Sequence, residues 1–356
     1  MTSNSELVDR RIRHAVMVLR YRAGLSKRTV QLLNTADEEL VEKLGARMAS
    51  IEERGYDLGP ATTKRLEKMI AELRDINSKV YAKTYKQLTG ELEDFAVQEG
   101  EFEHESIRAA IVVDVPTVVP SPEKLRAIVQ SRPIQGRALK NWADNLERGR
   151  AANIEQAIRL GMVQGETIDQ IVKRVRGSKA ANYTDGVFQG SRQSATTLVR
   201  TAVNHVSNHA AQETWKANSD VIKGWQFVAT LDSRTTTICA SKDRKVYEVG
   251  KGPIPPLHPN CRSITVAVTK SFKEIGLDKE ELTLGQRASM DGQVAGQTNY
   301  ETWLKNKGPE IQEEVLGVKR AQLFRDGKLS FEEMVRGDGE LWTIQQLKTR
   351  YPDLFR

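Results

Sequence analysis

Apolar residues recur at helical spacing through most of the first 220 residues, and strict alternation appears only beyond Asp220. That switch points to a mainly α chain with a small α+β unit in its C-terminal half. Leu7, Ile12, Val16, Leu19 and Tyr21 define a first helix, and Thr35 or Asp37 is placed to cap a second, with Glu38 and Glu39 in its first turn. Gly55 to Pro60 reads as a breaker. A third helix follows through Leu66, Met69, Ile70, Leu73, Ile76, Val80 and Tyr81, with room to continue to Ile111 as a coiled-coil-like arm.

Val112 to Pro122 holds three prolines and has no helical period, so it reads as an extended connector. Helices resume at Pro122, from about Gly136 to Leu160, from Ile168 to Val175 behind a Thr167 cap, and from about Phe188 to Ala217. Ile222, Trp225, Phe227 and Ala229 suggest a strand, and Ile264, Val266 and Val268 a second. The tail from Lys270 reads as helical with glycine punctuation. The division expected from this pass is an N-terminal helical arm (1–115), a central basic helical domain (116–220), a compact two- or three-strand unit (221–270) and a helical tail (271–356).

Composition narrows the partners. The chain has 356 residues, 39% of them hydrophobic, which is enough to build real cores. Its formal net charge is +7, and fourteen cations against eight anions fall between Ser121 and Trp215. Arg148, Arg150, Lys173, Arg174, Arg176 and Lys179 are the candidate phosphate contacts in that segment. A solvated helix face is the plainer alternative for such charges. No apolar run approaches the about 20 residues of a membrane span, so no membrane partner is expected. With only two cysteines and no apolar leader segment, the expectation is a protein made in a cytoplasm-like compartment.

The informative stretch is Leu231 to Ser263. It holds both cysteines, Cys239 and Cys261, and His258. These three are ligand types that zinc takes. A structural zinc site wants four ligands, so Asp232 or Asp243 would have to supply an oxygen. Two reduced thiols, or a disulfide between them, are the alternatives. His205 and His209 stand at i, i+4 on a predicted helix, but Val206 occupies the place of a metalloprotease glutamate. Cys239 and His258 could be read as a nucleophile and base, although no flanking signature accompanies them. The five tryptophans sit at core spacing.

The run Asp232, Arg234, Thr235, Cys239, Asp243, Pro256, His258, Pro259, Cys261 and Arg262 resembles the C-terminal motif of the phage head morphogenesis family, the Mu F-like minor head proteins. Arg200–Asn204 with Lys223–Ala229, and Tyr300–Leu304 with Leu323–Leu329, resemble the same family in the same order. Many of its members carry Cys-x-x-Cys after Arg-Thr and another Cys after the final Arg. Thr236 and Ser263 stand there instead, which removes two ligands and points to a packing element held by Asp232 and Arg234.

The resemblance implies a non-enzymatic minor head component, inside the capsid or near the portal vertex. Its implied partners are the portal protein, capsid or scaffold components and packaged DNA, with oligomers at the vertex and ejection alongside the genome. The competing expectation is a metal-assisted hydrolase or nuclease using Asp232, His258 and Cys261. A toxin-like module is a third, but no added effector segment is visible.

Overall fold

The computed structural model describes residues 3–52, 60–111, 115–271, 274, 286–290 and 292–355. The breaker before Pro60 and the first part of the expected connector, residues 112–114, lie outside the described residues. Two helices open the chain, α1 (Ser3–Glu52) and α2 (Pro60–Ala110). After them come α3 (Pro122–Ser131), α4 (Leu139–Val163), α5 (Ile168–Arg176) and α6 (Val187–Ala217). A sheet region follows with β1 (Ile222–Val228), the short α7 (Thr237–Ala240), β2 (Val246–Glu248) and β3 (Ile264–Thr269). The tail holds β4 (Gln286–Ser289), β5 (Gly292–Ala295), α8 (Tyr300–Lys305), α9 (Pro309–Leu316), α10 (Val318–Arg325), α11 (Phe331–Met334) and α12 (Ile344–Arg350). The chain is therefore mainly α with a small antiparallel sheet in its C-terminal half.

Contacts group the chain into two units that are not contiguous in sequence. One comprises residues 1–19, 96–125 and 204–356, the other 20–95 and 126–203. This grouping crosses the linear divisions at 115, 220 and 270, because α1, α2 and α6 are each long enough to supply side chains to both units.

In the second unit, Leu40, Leu44, Met48 and Ile51 form one stripe of α1. They pack with Leu66, Met69, Ile70 and Leu73 of α2, Ile154 and Ile158 of α4, Ile171 and Val175 of α5, and Phe188 of α6. The spacing of three and four residues places each set on one helix face. No second helix begins at Thr35 or Asp37. The Thr35 hydroxyl donates back to Leu32 O within an unbroken α1, and Asp37 is buried in an ion pair with Arg150 and Arg192. A short polar residue at mid-helix imitates a cap in sequence but here serves a tertiary partner. The Thr167 cap does form. Its Oγ1 accepts from Gln170 N while Gln170 Oε1 accepts from Thr167 N.

In the first unit the sheet order is β2-β1-β3, all antiparallel. Trp225 and Phe227 of β1 are fully buried against Leu7, Ile107, Ala211 and Trp215. β3 departs from simple alternation. Thr265, Ala267 and Thr269 are buried and Ile264 and Val268 only partly so, because both faces of this strand are covered. The described part of the connector is extended, and the Asn218 side chain pairs with both N and O of Val118. The tail is not wholly helical, since β4 and β5 form a hairpin and Met290 N donates to Leu231 O. Tyr300, Trp303, Leu304, Leu316, Phe324 and Met334 build a separate tail core.

Candidate functional site

The loops after β1 are built on two carboxylates. Asp232 Oδ1 accepts from Arg234 N at 3.1 Å and from Arg262 Nη2 at 2.8 Å, while Arg262 Nη1 donates to Oδ2. The Thr235 hydroxyl lies 2.6 Å from Thr230 O and 3.0 Å from Asp232 Oδ1. Burial alone would raise the Asp232 carboxyl, but the Arg262 hydrogen bonds and charge, with smaller help from Thr235 and Arg234, hold it below the ordinary range. Asp243 is the second anchor. Its Oδ1 accepts from Ala229 N and its Oδ2 from Tyr300 N, both at 2.8 Å. Tyr300 returns the link by donating its hydroxyl to Asp232 O at 3.0 Å.

The expected Asp232–Arg234 pair is corrected by this geometry. The Arg234 side chain is 80% exposed and reaches only 3.9 Å from Asp232, so its backbone N–H does the holding. The partner is Arg262, whose planar fork suits a carboxylate. Pro256 is buried and Pro259 exposed in the loop that brings His258 and Cys261 round.

Cys239, His258 and Cys261 converge, with one ligand atom from each within 4.8 Å of the others. The two sulfurs lie 3.7 Å apart and both side chains are buried. His258 Nδ1 donates to Pro259 O at 2.9 Å, which leaves Nε2 as the ring nitrogen open to another partner. Hydrogen bonds from Cys239 and His258 push the Cys261 thiol down toward thiolate, and the same Cys261 contact pushes Cys239 up. Neither expected oxygen ligand joins this group. Asp232 and Asp243 are occupied by Arg262 and by backbone donors.

Helix α6 carries a polar ladder whose role is not evident in the sequence. Asn204 Nδ2 donates to Cys261 O and Ser263 O, both at 3.1 Å. Asn208 Nδ2 donates to Asn204 Oδ1, while its own Oδ1 accepts from Thr265 N and Oγ1. Two asparagines at i, i+4 thus satisfy a strand edge from a buried helix face. The available signal was the unusual run of small polar residues on an otherwise buried helix.

A second cluster was also missed. Arg11 Nη1 lies 3.1 Å from Glu99 and 2.8 Å from Glu103, with all three side chains almost fully buried. His14 Nε2 and Ser207 Oγ contact Glu99, Trp215 Nε1 donates to Glu103, and Arg11 Nε reaches Thr265 O. Burial raises Glu103. Glu99 is lowered, because its bonds from His14 and Ser207 and the Arg11 charge outweigh its burial. Widely separated charges on helices give no sequence sign that they meet.

The candidate phosphate contacts divide. Arg150 is 2% exposed, bound to Asp37, and stacked over Phe188 at 4.6 Å, so it is a core residue and is withdrawn from that set. Arg174 is held by Glu166 and Gln164. Arg148, Lys173, Arg176 and Lys179 are exposed, with Arg176 over the Tyr183 ring. His205 and His209 lie ring to ring at 4.2 Å. Trp215, Trp225 and Trp303 are buried, while Trp142 and Trp342 are half-buried. Among the described residues, no helix is long and apolar enough to cross a membrane.

Residues 152–266 match the family model described as phage Mu protein F like protein. Over this segment the chain is similar to the Mu F-like proteins. The Mu F-like segment runs from α4 into β3 and includes Asp232, Arg262 and the sulfur–imidazole group. Arg11, Glu99 and the tail core lie outside it. No curated protein and no solved structure matches the chain.

Proposed function

We propose that this chain is a minor head protein of a phage, located in the head interior or at the portal vertex, and that it works by binding. The observation that carries this reading is the Mu F-like match over residues 152–266. The site geometry supports it, because both acidic motif residues have their oxygens engaged in holding loops. The partners in this reading are the portal protein, capsid or scaffold components, and packaged DNA. Arg148, Lys173, Arg176 and Lys179 are the exposed cations that would meet phosphates. Several copies would gather at the vertex and leave with the genome.

Mass spectrometry of purified virions before and after DNA release tests the assignment. The expected result is the chain in full particles, at a few copies per portal ring, and its loss on release. Absence from wild-type virions, with unchanged composition and infectivity when the gene is deleted, would overturn it. Retention in emptied heads would remove only the ejection step.

A further inference from the structure

We infer that Cys239, Cys261 and His258 form a three-ligand site for one zinc-type cation, with a fourth position filled from outside the chain. The inference stands on the local geometry and not on the head assignment. Two thiolates bound to one tetrahedral zinc, each about 2.3 Å from it, stand about 3.8 Å apart. The Cys239 and Cys261 sulfurs are 3.7 Å apart. A disulfide would need about 2.05 Å. The spacing therefore suits a shared ion better than a covalent bond.

His258 is prepared in the same sense. Metal-bound histidines commonly donate the other ring N–H to a carbonyl or carboxylate, which fixes the tautomer. Here Nδ1 donates to Pro259 O, so Nε2 is the atom presented. The backbone behind the cysteines is also fixed, since Asn204 holds the carbonyls of Cys261 and Ser263. The ligand atoms are thus ordered before an ion arrives.

The fourth position follows from what surrounds the three. Asp232 and Asp243 are bound to Arg262, Ala229 and Tyr300. Thr236 and Ser263 offer only neutral hydroxyls in place of further thiolates. Three protein ligands with an open place make an exchangeable site. His258 is only partly buried, so a small donor such as water or imidazole can reach the ion.

Cobalt titration of the chelator-stripped, reduced full chain is the test. Cobalt is expected to saturate at one per chain, with thiolate-to-cobalt charge-transfer absorption that zinc abolishes. Added imidazole is expected to shift the cobalt bands. Cys261→Ser should remove most of the charge-transfer intensity, and His258→Gln should weaken binding at least tenfold, with circular dichroism unchanged in both. A folded chain that gives no charge-transfer band overturns the site. So does a band of undiminished intensity in Cys261→Ser. A saturated spectrum indifferent to imidazole overturns the open position.

Discussion

Arg262 closes on Asp232 across thirty positions of sequence, Nη2 to Oδ1 at 2.8 Å with Nη1 on Oδ2. The Asp232 side chain is 12% exposed and that of Arg262 is 21%. Removing the carboxylate strands a largely buried guanidinium and frees the Arg234 and Thr235 turn. Asp232→Ala is expected to lower unfolding free energy by about 3 kcal/mol, read from the denaturant midpoint. Because the folded Asp232 carboxyl is depressed, its contribution is full above the unfolded value of about 3.9 and fades as pH falls through the lower folded value. The wild type should therefore lose more stability on acidification than Asp232→Ala. Equal acid sensitivity of the two would deny the clamp its role.

Arg150 and the exposed cations should separate cleanly in a paired measurement. Asp37→Ala leaves Arg150 buried with its charge unmatched and is expected to cost about 3–5 kcal/mol. Lys173→Ala, Arg176→Ala and Lys179→Ala should each change stability by less than about 0.5 kcal/mol. If those three meet DNA phosphates, each substitution lowers the slope of log affinity against log salt by about 1. Fluorescence anisotropy on duplex DNA across a salt series checks this, and an unchanged slope in the triple variant would remove them from the interface.

Glu99 and Glu103 share Arg11 but carry opposite shifts. Lowered Glu99 contributes stability above the unfolded value of about 4.3, lost as pH falls through its folded value. Raised Glu103 works the other way, and its contribution is lost as pH rises through its folded value. At pH 7, Glu99→Gln is expected to destabilise by about 3 kcal/mol, since Arg11 keeps only the less readily ionised partner. Glu103→Gln should change stability by less than about 1 kcal/mol, because the neutral amide still accepts a hydrogen bond. Chemical denaturation at pH 5 and pH 8 distinguishes them. A Glu103→Gln loss as large as that of Glu99→Gln would contradict the assignment.

Gly339 is expected to tolerate no side chain. Its φ is +89°, and an added Cβ would lie 2.4 Å from Ile238 Cβ. Its carbonyl also accepts from the Thr237 hydroxyl. Gly339→Ala should therefore lower stability by about 2 kcal/mol or more. Limited proteolysis should show the tail beyond Ser330 cut faster in the variant, and an unchanged pattern would count against this docking.

Much of this molecule was legible before any coordinates. Helical spacing marked α2, α4, α5 and α6 to within a few residues, and the Thr167 cap followed from local chemistry. Alternation marked β1, and the motif from Asp232 to Arg262 singled out the loops that converge. The failures share a cause. Asp37 reads as a cap by its type but lies in mid-helix, because Arg150 and Arg192 reward that placement from distant segments. Arg150 reads as a phosphate contact for the same reason.

By itself the sequence determined periodicity, turn chemistry and the identity of the sulfur and imidazole donors, since these depend on residues near one another along the chain. Tertiary structure alone decided which charge meets which. It put Arg262 on Asp232 in place of Arg234, drew Arg11 between Glu99 and Glu103, and set the two sulfurs 3.7 Å apart. Such pairings depend on distances between segments far apart in sequence, and those are fixed only when the cores pack.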